Sequence, residues 1–131
     1  MAGTLVANTI NTDTGLFSTN NAYQGIAKAW VYFTGSTTPT INGSFNVSSI
    51  TYVSTAVYTV NMTTAMPNAN YAVLGASSPA YGVSYAGAIQ MNSNSSQVEQ
   101  APTASAFTIW NAAGNATSAA NKYVYLAVFS S

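Results

Sequence analysis

The sequence contains no histidine and no cysteine, and its 131 residues include only two basic and two acidic side chains: Lys28, Lys122, Asp13 and Glu99. Proton transfer, nucleophile activation and metal ligation draw mainly on these residue types. Four such groups scattered along the chain make side-chain catalysis implausible. We therefore predict no enzyme activity, no catalytic residues, no cofactor and no metal site, and we expect the function to lie in shape and surface.

The shortage of charge also limits the possible partners. Binding to nucleic acid needs a cluster of basic side chains that neutralises phosphates, and binding to anionic membranes needs a similar cluster. The longest apolar stretches, such as residues 123–129, are far shorter than the ~20 residues of a membrane span. We expect neither nucleic acid nor membrane as a partner. A charged fraction of 3%, against about 25% in ordinary soluble domains, instead favours association with other protein surfaces.

Three weaker chemical alternatives remain open. Asp13 and Glu99 could form a glycosidase pair if folding placed them about 5–10 Å apart. A serine–lysine pair could use Lys28 or Lys122, provided that the lysine is buried. A hard-cation site could combine one carboxylate with amide and backbone oxygens. None of these is signalled by the neighbouring residues.

Short runs of β-branched and aromatic residues, separated by Gly, Ser, Asn and Pro, dominate the chain and predict strands. Between residues 45 and 52 the alternation slips by one position at Ser48 and Ser49, which predicts a β-bulge. No segment has helical periodicity. The fold class is predicted as all-β, an antiparallel, jelly-roll-like β-sandwich over residues 27–131. Its predicted strands are residues 30–33, 45–52, 58–62, 71–75, 86–91, 106–111 and 123–129.

The first 26 residues are polar and contain a turn signal at residues 13–15, so they predict an extended arm outside the sandwich. The arm has no positively charged, apolar leader, and the absence of cysteine fits a reducing compartment, so we expect synthesis in the cytoplasm. Residues 1–26 are interpreted as an assembly arm that docks on a neighbour. The apolar anchors of this predicted interface are Leu5, Val6, Ile10, Leu16 and Phe17.

The last predicted strand is apolar on both faces. Val124, Leu126 and Val128 share one face and can line the core, whereas the opposite face carries three aromatic rings, Tyr123, Tyr125 and Phe129. We predict that a neighbouring subunit covers this second face, and an ordinary amphipathic tyrosine face is the alternative. The apolar hairpin tip that begins with Tyr52 and Val53 is predicted to contact a partner as well.

Two loop regions could bind a ligand. Tyr81 and Tyr85 lie among serines and glycines, a composition that antibody paratopes use for adaptable contacts. Trp110, beside Asn111, is a second candidate for stacking on the face of a sugar. The alternative is that all four residues line a subunit interface.

Several motifs in fixed order resemble the C-terminal module of phage tail fibres and related small virion proteins. They are AKAWVYFTG (27–35), SFNVSSI (44–50), YTVNMTTAMPNANYAVLG (58–75) and VYLAVF (124–129), and the leader TLVANTINTDTG (4–15) is similar to the start of short phage structural proteins. The resemblance implies a β-sandwich component of the virion, commonly a homotrimer. It implies one of two roles: capsid cement or decoration, or a tail-fibre tip that binds a host receptor. A polysaccharide-degrading enzyme is the remote alternative.

Overall fold

The computed structural model describes residues 9–12, 15–18, 25–78, 87–93, 96, 98–113 and 122–130. Within these ranges the chain forms ten β-strands. They are β1 (Thr9–Thr12), β2 (Gly15–Ser18), β3 (Ala29–Thr34), β4 (Thr40–Phe45), β5 (Val47–Ser54), β6 (Val57–Met62), β7 (Ala72–Ser77), β8 (Gly87–Met91), β9 (Ala106–Ala113) and β10 (Tyr123–Phe129).

Eight of these strands form two four-stranded antiparallel sheets that enclose one core. The first sheet has the order β4-β3-β10-β7, and the second has the order β5-β6-β9-β8. The prediction of an antiparallel β-sandwich is confirmed. Strands β1 and β2 pair with each other in a separate two-stranded sheet, within the residues that were predicted to form the arm.

The core lies between the sheets and follows the period-2 alternation of their strands. Phe33 and Leu126 face inward from the first sheet, and Tyr58, Phe107 and Ile109 face inward from the second. The rings of Phe33 and Tyr58 meet edge to face across the core, with centroids 5.4 Å apart. Each such side chain that leaves water stabilises the fold by about 1.5–3 kcal/mol, so these contacts fix which face of each sheet points outward.

Asn46 carries the chain from the first sheet to the second. Its backbone has φ 54°, a left-handed conformation that asparagine tolerates better than most residues. Its Nδ2 donates to the carbonyl oxygens of Lys28 and Thr64, each at 3.1 Å. Its Oδ1 accepts the N–H of Thr64 at 2.7 Å. One side chain therefore ties the corner to the start of β3 and to the segment after β6.

The hairpin of β5 and β6 contains the predicted bulge. The register shifts between Val47 and Ser49, and a second shift between Tyr52 and Ser54 leaves Val53 outside the ladder. The hairpin turns at Thr55 and Ala56, and Ala56 has φ 63°. The slip in the sequence pattern thus corresponds to a real change of pairing.

Strand β4 was not predicted, because Asn42 and Gly43 have low β-propensity. It forms at the edge of the first sheet, where its outer side needs no strand partner, and it pairs with β3. Gly43 lies against the ring of Trp30, and a Cβ built there would be 3.4 Å from the ring. This distance is ordinary van der Waals contact, so the Trp30 ring packs directly on the edge strand at Gly43.

Gly75 in β7 marks a much closer approach inside the sandwich. A Cβ at this position would lie 2.6 Å from Leu126 Cδ2, 3.0 Å from Met91 Cε and 3.2 Å from Ile89 Cδ1. A side chain at this position would require the ends of the Leu126, Met91 and Ile89 side chains to shift.

Candidate interaction surface

The outward face of the first sheet carries large apolar side chains on all four strands. Four of them are well exposed: Leu74 (64%), Phe45 (55%), Tyr125 (46%) and Trp30 (44%). The largest contiguous apolar patch on a typical monomeric protein is about 300–600 Å² and is often functional. We call this surface the aromatic face, and its members are Trp30, Tyr32, Phe45, Leu74, Tyr123, Tyr125, Ala127 and Phe129.

Strand register arranges the aromatic face in rows that cross the sheet. Trp30 pairs with Phe45 on one side and with Ala127 on the other, and Ala127 pairs in turn with Leu74. This first row therefore runs over all four strands, with a small residue at its third position. The exposed side chains are neighbours in space although they lie far apart in the sequence.

The second row is built on a stacked pair of tyrosines. Tyr32 and Tyr125 are register partners, and their rings stack at 4.7 Å with an interplanar angle of 6°. Tyr123 leans on Tyr32 with ring centroids 5.8 Å apart. The pKa of Tyr32 is raised from its ordinary value of 10.0 by desolvation first, and then by its neighbours Tyr125 and Tyr123. The phenol of Tyr32 is therefore neutral throughout the physiological pH range.

A groove of about 510 Å³ crosses the aromatic face. Trp30 and Leu74 form its sides, the stacked tyrosines lie along it, and Ala127 lies at its floor. Its volume is within the range of about 300–1,000 Å³ that small-molecule sites occupy. The polar side-chain groups of its lining residues are the hydroxyls of Tyr32 and Tyr125 and the indole N–H of Trp30. The groove can therefore bury apolar groups, but it contains no side chain for proton transfer or metal binding.

Among the described residues, the charged side chains nearest in sequence to the aromatic face are two lysines, Lys28 just before β3 and Lys122 just before β10. The ammonium of Lys122 lies 5.1 Å from the centre of the Tyr123 ring, at the start of β10, and can make a cation–π contact there. In the described ranges, no three His, Cys, Asp or Glu residues come together as a possible metal site. In the same ranges, no helix has the length and hydropathy needed to cross a membrane.

The outward face of the second sheet has a different chemistry. Thr51, Thr59 and Thr108 form a row over three strands, and the two hydroxyls of Thr59 and Thr108 are 3.2 Å apart. Asn61 Nδ2 donates to Ser49 Oγ at 3.1 Å and to Thr51 Oγ1 at 3.0 Å. This polar face satisfies much of its own hydrogen bonding without any charged group.

The predicted stacking site at Trp110 and Asn111 is corrected by the structure. Trp110 is 1% exposed and Asn111 is 0% exposed, so neither presents a surface to a sugar. Trp110 packs in a small buried cluster with Ala56 and Val57, and Asn111 follows the alternation of Phe107 and Ile109 toward the interior. Sequence pattern identifies such residues as amphipathic but does not show which segments cover them. Tyr81 and Tyr85 lie outside the described residues.

The interface residues predicted on the last strand do share one outward surface. Tyr125 is 46% exposed, while Tyr123 and Phe129 are half-buried beside it. At the predicted hairpin tip, Val53 is 55% exposed, whereas Tyr52 is half-buried and packs edge to face on Tyr58 at 6.1 Å.

The arm residues Leu5 and Val6 lie outside the described part of the chain, and of Ile10, Leu16 and Phe17 the structure describes only the strand backbone. Trp30, Phe45 and Leu74 were not predicted as surface residues. The alternation of β3 contained a usable signal, because Trp30 and Tyr32 oppose the buried Val31 and Phe33. Phe45 and Leu74 join them only through the strand order. No protein-family model, curated protein or solved structure matches the chain.

Proposed function

We propose that this chain is a non-enzymatic structural protein of a phage particle that attaches to protein neighbours through the aromatic face. The observation that carries the proposal is a contiguous, uncharged row of apolar side chains across four strands, Phe45, Trp30, Ala127 and Leu74, of which Phe45, Trp30 and Leu74 are well exposed. A surface of this composition is stable in water mainly when another protein surface covers it.

The size of the aromatic face supports a protein partner. Its four well-exposed side chains leave roughly 400 Å² of apolar surface in water, at about 100 Å² each. Covering that area yields about 10 kcal/mol of gross hydrophobic gain on this side of the contact. The gain is comparable with the cost of association, about 4–15 kcal/mol, so additional contacts from the partner and the rim would decide the affinity.

The assignment to a phage particle rests on the resemblance of the linked motifs. Two of those motifs lie at the centre of the aromatic face: AKAWVYFTG includes β3, and VYLAVF lies within β10. These strands pair directly in the first sheet. The residues that carry the resemblance are therefore the same residues that supply Trp30, Tyr32 and Tyr125.

Two positions on the particle are compatible with this proposal, and both follow from the resemblance. As capsid cement or decoration, the chain would lie across neighbouring capsomers and occur in hundreds of copies. As a tail-fibre tip it would occur in tens of copies at most. The copy number is measured by quantitative mass spectrometry of purified particles, with the major capsid protein as internal standard. Hundreds of copies indicate the cement or decoration role, and tens of copies or fewer indicate the fibre tip. Absence of the protein from the particle would refute the proposal.

The attachment surface is tested by adding purified protein to particles that lack it. The Tyr125→Asp variant should lose binding because it places a charge in the middle of the aromatic face, whereas Thr51→Asp, on the polar face, should bind normally. Circular dichroism checks that each variant is folded. Normal binding of a folded Tyr125→Asp variant would mean that another surface makes the attachment.

A receptor-binding tip that recognises a host glycan is the second candidate, and the groove beside Trp30 favours it. Exposed aromatic rings can stack on sugar rings, and the groove volume is suitable. Few hydrogen-bonding groups line the groove, however, and a sugar needs several. Glycan binding by the wild-type protein that is lost in Trp30→Ala would establish this function. Glu99, one of the two carboxylates that an enzyme of the remote alternative would need, does not line the groove.

A further inference from the structure

We infer that the partner covering the aromatic face is the same face of a second copy of this chain, so that two sandwiches stack sheet against sheet. This inference rests on the proposed function, and it names the occupant of the surface that the proposal uses. Three observations carry it: the area of the face, its lack of charge, and its shape.

The well-exposed side chains of the face supply about half of the area that one partner buries in a standard protein interface. Such an interface buries about 800 Å² on each partner. The four well-exposed side chains supply roughly 400 Å². The half-buried rings of Tyr32, Tyr123 and Phe129 lie on the same surface and, with the rim of the sheet, supply further contact area. A partner much smaller than a sheet would leave part of the first row in water.

The chemistry of the face selects an uncharged, apolar and flat partner. The polar face of the second sheet does not fit, because its threonines and Asn61 are already bonded to one another and would be desolvated without new partners. In the described part of the chain, the surface that does fit is the aromatic face of another copy. Charge complementarity therefore favours self-association over binding to a typical charged protein surface.

The shape of the face also fits a second sheet. Sheets that pack face to face lie about 10 Å apart with interdigitating side chains. The first row has high points at Trp30 and Leu74 and a low point at Ala127 between them. A large side chain of the facing sheet can enter the groove above Ala127, and the same contact can be repeated by symmetry.

Contact between identical faces pairs the copies two by two, because each copy uses the same surface. The purified protein should therefore contain an even number of copies, with a dimer as the smallest unit. This expectation differs from the trimer that the resemblance implies, so the stoichiometry alone is informative.

The test compares the full chain with two variants that introduce the same charge. Leu74→Glu changes the most exposed side chain of the aromatic face, on an edge strand where a separated subunit tolerates a carboxylate. Val53→Glu changes a side chain of similar exposure at the hairpin tip. Sedimentation equilibrium gives the mass and the dissociation constant. Circular dichroism shows whether each variant is folded.

Tryptophan emission gives a second, independent measurement. The chain has two tryptophans, of which Trp30 is 44% exposed and Trp110 is 1% exposed. Trp110 reports on folding, whereas Trp30 reports on whether the aromatic face is covered. We expect dilution of the wild type to shift the emission to longer wavelength as Trp30 becomes exposed. Leu74→Glu should show the shifted emission at every concentration.

The expected result is an even-numbered oligomer whose dissociation constant rises about 100-fold or more in Leu74→Glu, as for a central interface residue, and little in Val53→Glu. A trimer, or an oligomer that Val53→Glu rather than Leu74→Glu dissociates, would overturn the face-to-face arrangement. A stable wild-type monomer that still binds particles through the aromatic face would overturn the inference and leave the proposed function standing. A monomer that binds no particle would contradict both.

Discussion

Replacing Gly75 by alanine tests the close approach of the two sheets with the smallest possible change. The added methyl group would lie 2.6 Å from Leu126 Cδ2 and 3.0 Å from Met91 Cε. A contact at 2.6 Å is far inside van der Waals distance, so a side chain or a strand must move. Leu126 is only 4% exposed, and its side chain has little free space into which to move.

The size of the effect follows from two opposing contributions. Inserting a methylene-sized group into a packed core costs about 1–3 kcal/mol. Removing a glycine from a strand regains about 0.5–1 kcal/mol of backbone entropy. We expect a net loss of about 1–2 kcal/mol in the free energy of unfolding. For a chain of this size that loss lowers the melting temperature by roughly 3–7 °C.

Gly43→Ala is the matched control, because it makes the same substitution in a strand of the same sheet. Its methyl group would lie 3.4 Å and 3.6 Å from the Trp30 ring, which is ordinary contact, so the entropy gain should leave stability unchanged or slightly higher. Both variants are measured by urea denaturation in the Leu74→Glu background, so that association does not contribute to the measured stability.

A double-mutant cycle identifies the atom responsible. Leu126→Val removes Cδ2, so Gly75→Ala should cost about 1 kcal/mol less in the Leu126→Val background than in the Leu126 background. If Gly75→Ala lowers the free energy of unfolding no more than Gly43→Ala does, or lowers it equally in both backgrounds, then the close contact between Gly75 and Leu126 does not limit the stability.

Three further predictions follow from single features. Tyr58→Phe should leave the free energy of unfolding unchanged or raise it by up to about 1 kcal/mol, because the buried hydroxyl has no hydrogen-bond partner; a loss above 1 kcal/mol in urea denaturation would mean that the hydroxyl is satisfied. Burial raises the pKa of Tyr58 and Tyr71 above the ordinary value of 10.0, so the stability that these neutral phenols contribute is fully present below pH 10 and is lost as the pH rises through their folded pKa values. The melting temperature should therefore change little between pH 5.5 and 8.5, fall above pH 10, and fall less steeply in Tyr58→Phe. An equal fall in both proteins would mean that Tyr58 does not contribute to the loss of stability at high pH. Asn46→Ala should lower the free energy of unfolding by about 2–4 kcal/mol, because it removes three hydrogen bonds and places alanine in a left-handed backbone conformation. Asn46→Gly tolerates that conformation and should lower the free energy of unfolding by less. Equal losses in the two variants would mean that the backbone conformation contributes nothing.

The strands that the sequence predicts well are those in which alternation and burial agree. In β10, Val124, Leu126 and Val128 are buried, and the alternation alone indicates this face. The bulge between Val47 and Ser49 could be predicted because it reverses the phase of the pattern. Strand β4 could not be predicted, since its stability comes from pairing with β3 and from the Trp30 ring over Gly43 rather than from local propensity.

The aromatic face could be predicted only in part for a related reason. The sequence places Tyr123 and Tyr125 on one side of a strand, but it does not show that Leu74 and Phe45 lie beside them. That knowledge requires the strand order β4-β3-β10-β7, which depends on long-range pairing. Trp110 illustrates the opposite case, because a residue on the outward side of a strand is nevertheless 1% exposed.

The polar face has a consequence for the electrical properties of any particle that carries this protein. Its threonine and asparagine side chains are neutral and hydrogen-bond to one another, and the whole chain has a formal net charge of zero at pH 7. Copies that bury their aromatic faces and expose their polar faces would add mass and hydration to the particle surface but almost no fixed charge. Their addition should slow the electrophoretic migration of particles more strongly at high ionic strength, where the Debye length of about 3 Å at 1 M is shorter than a protein layer, than at low ionic strength.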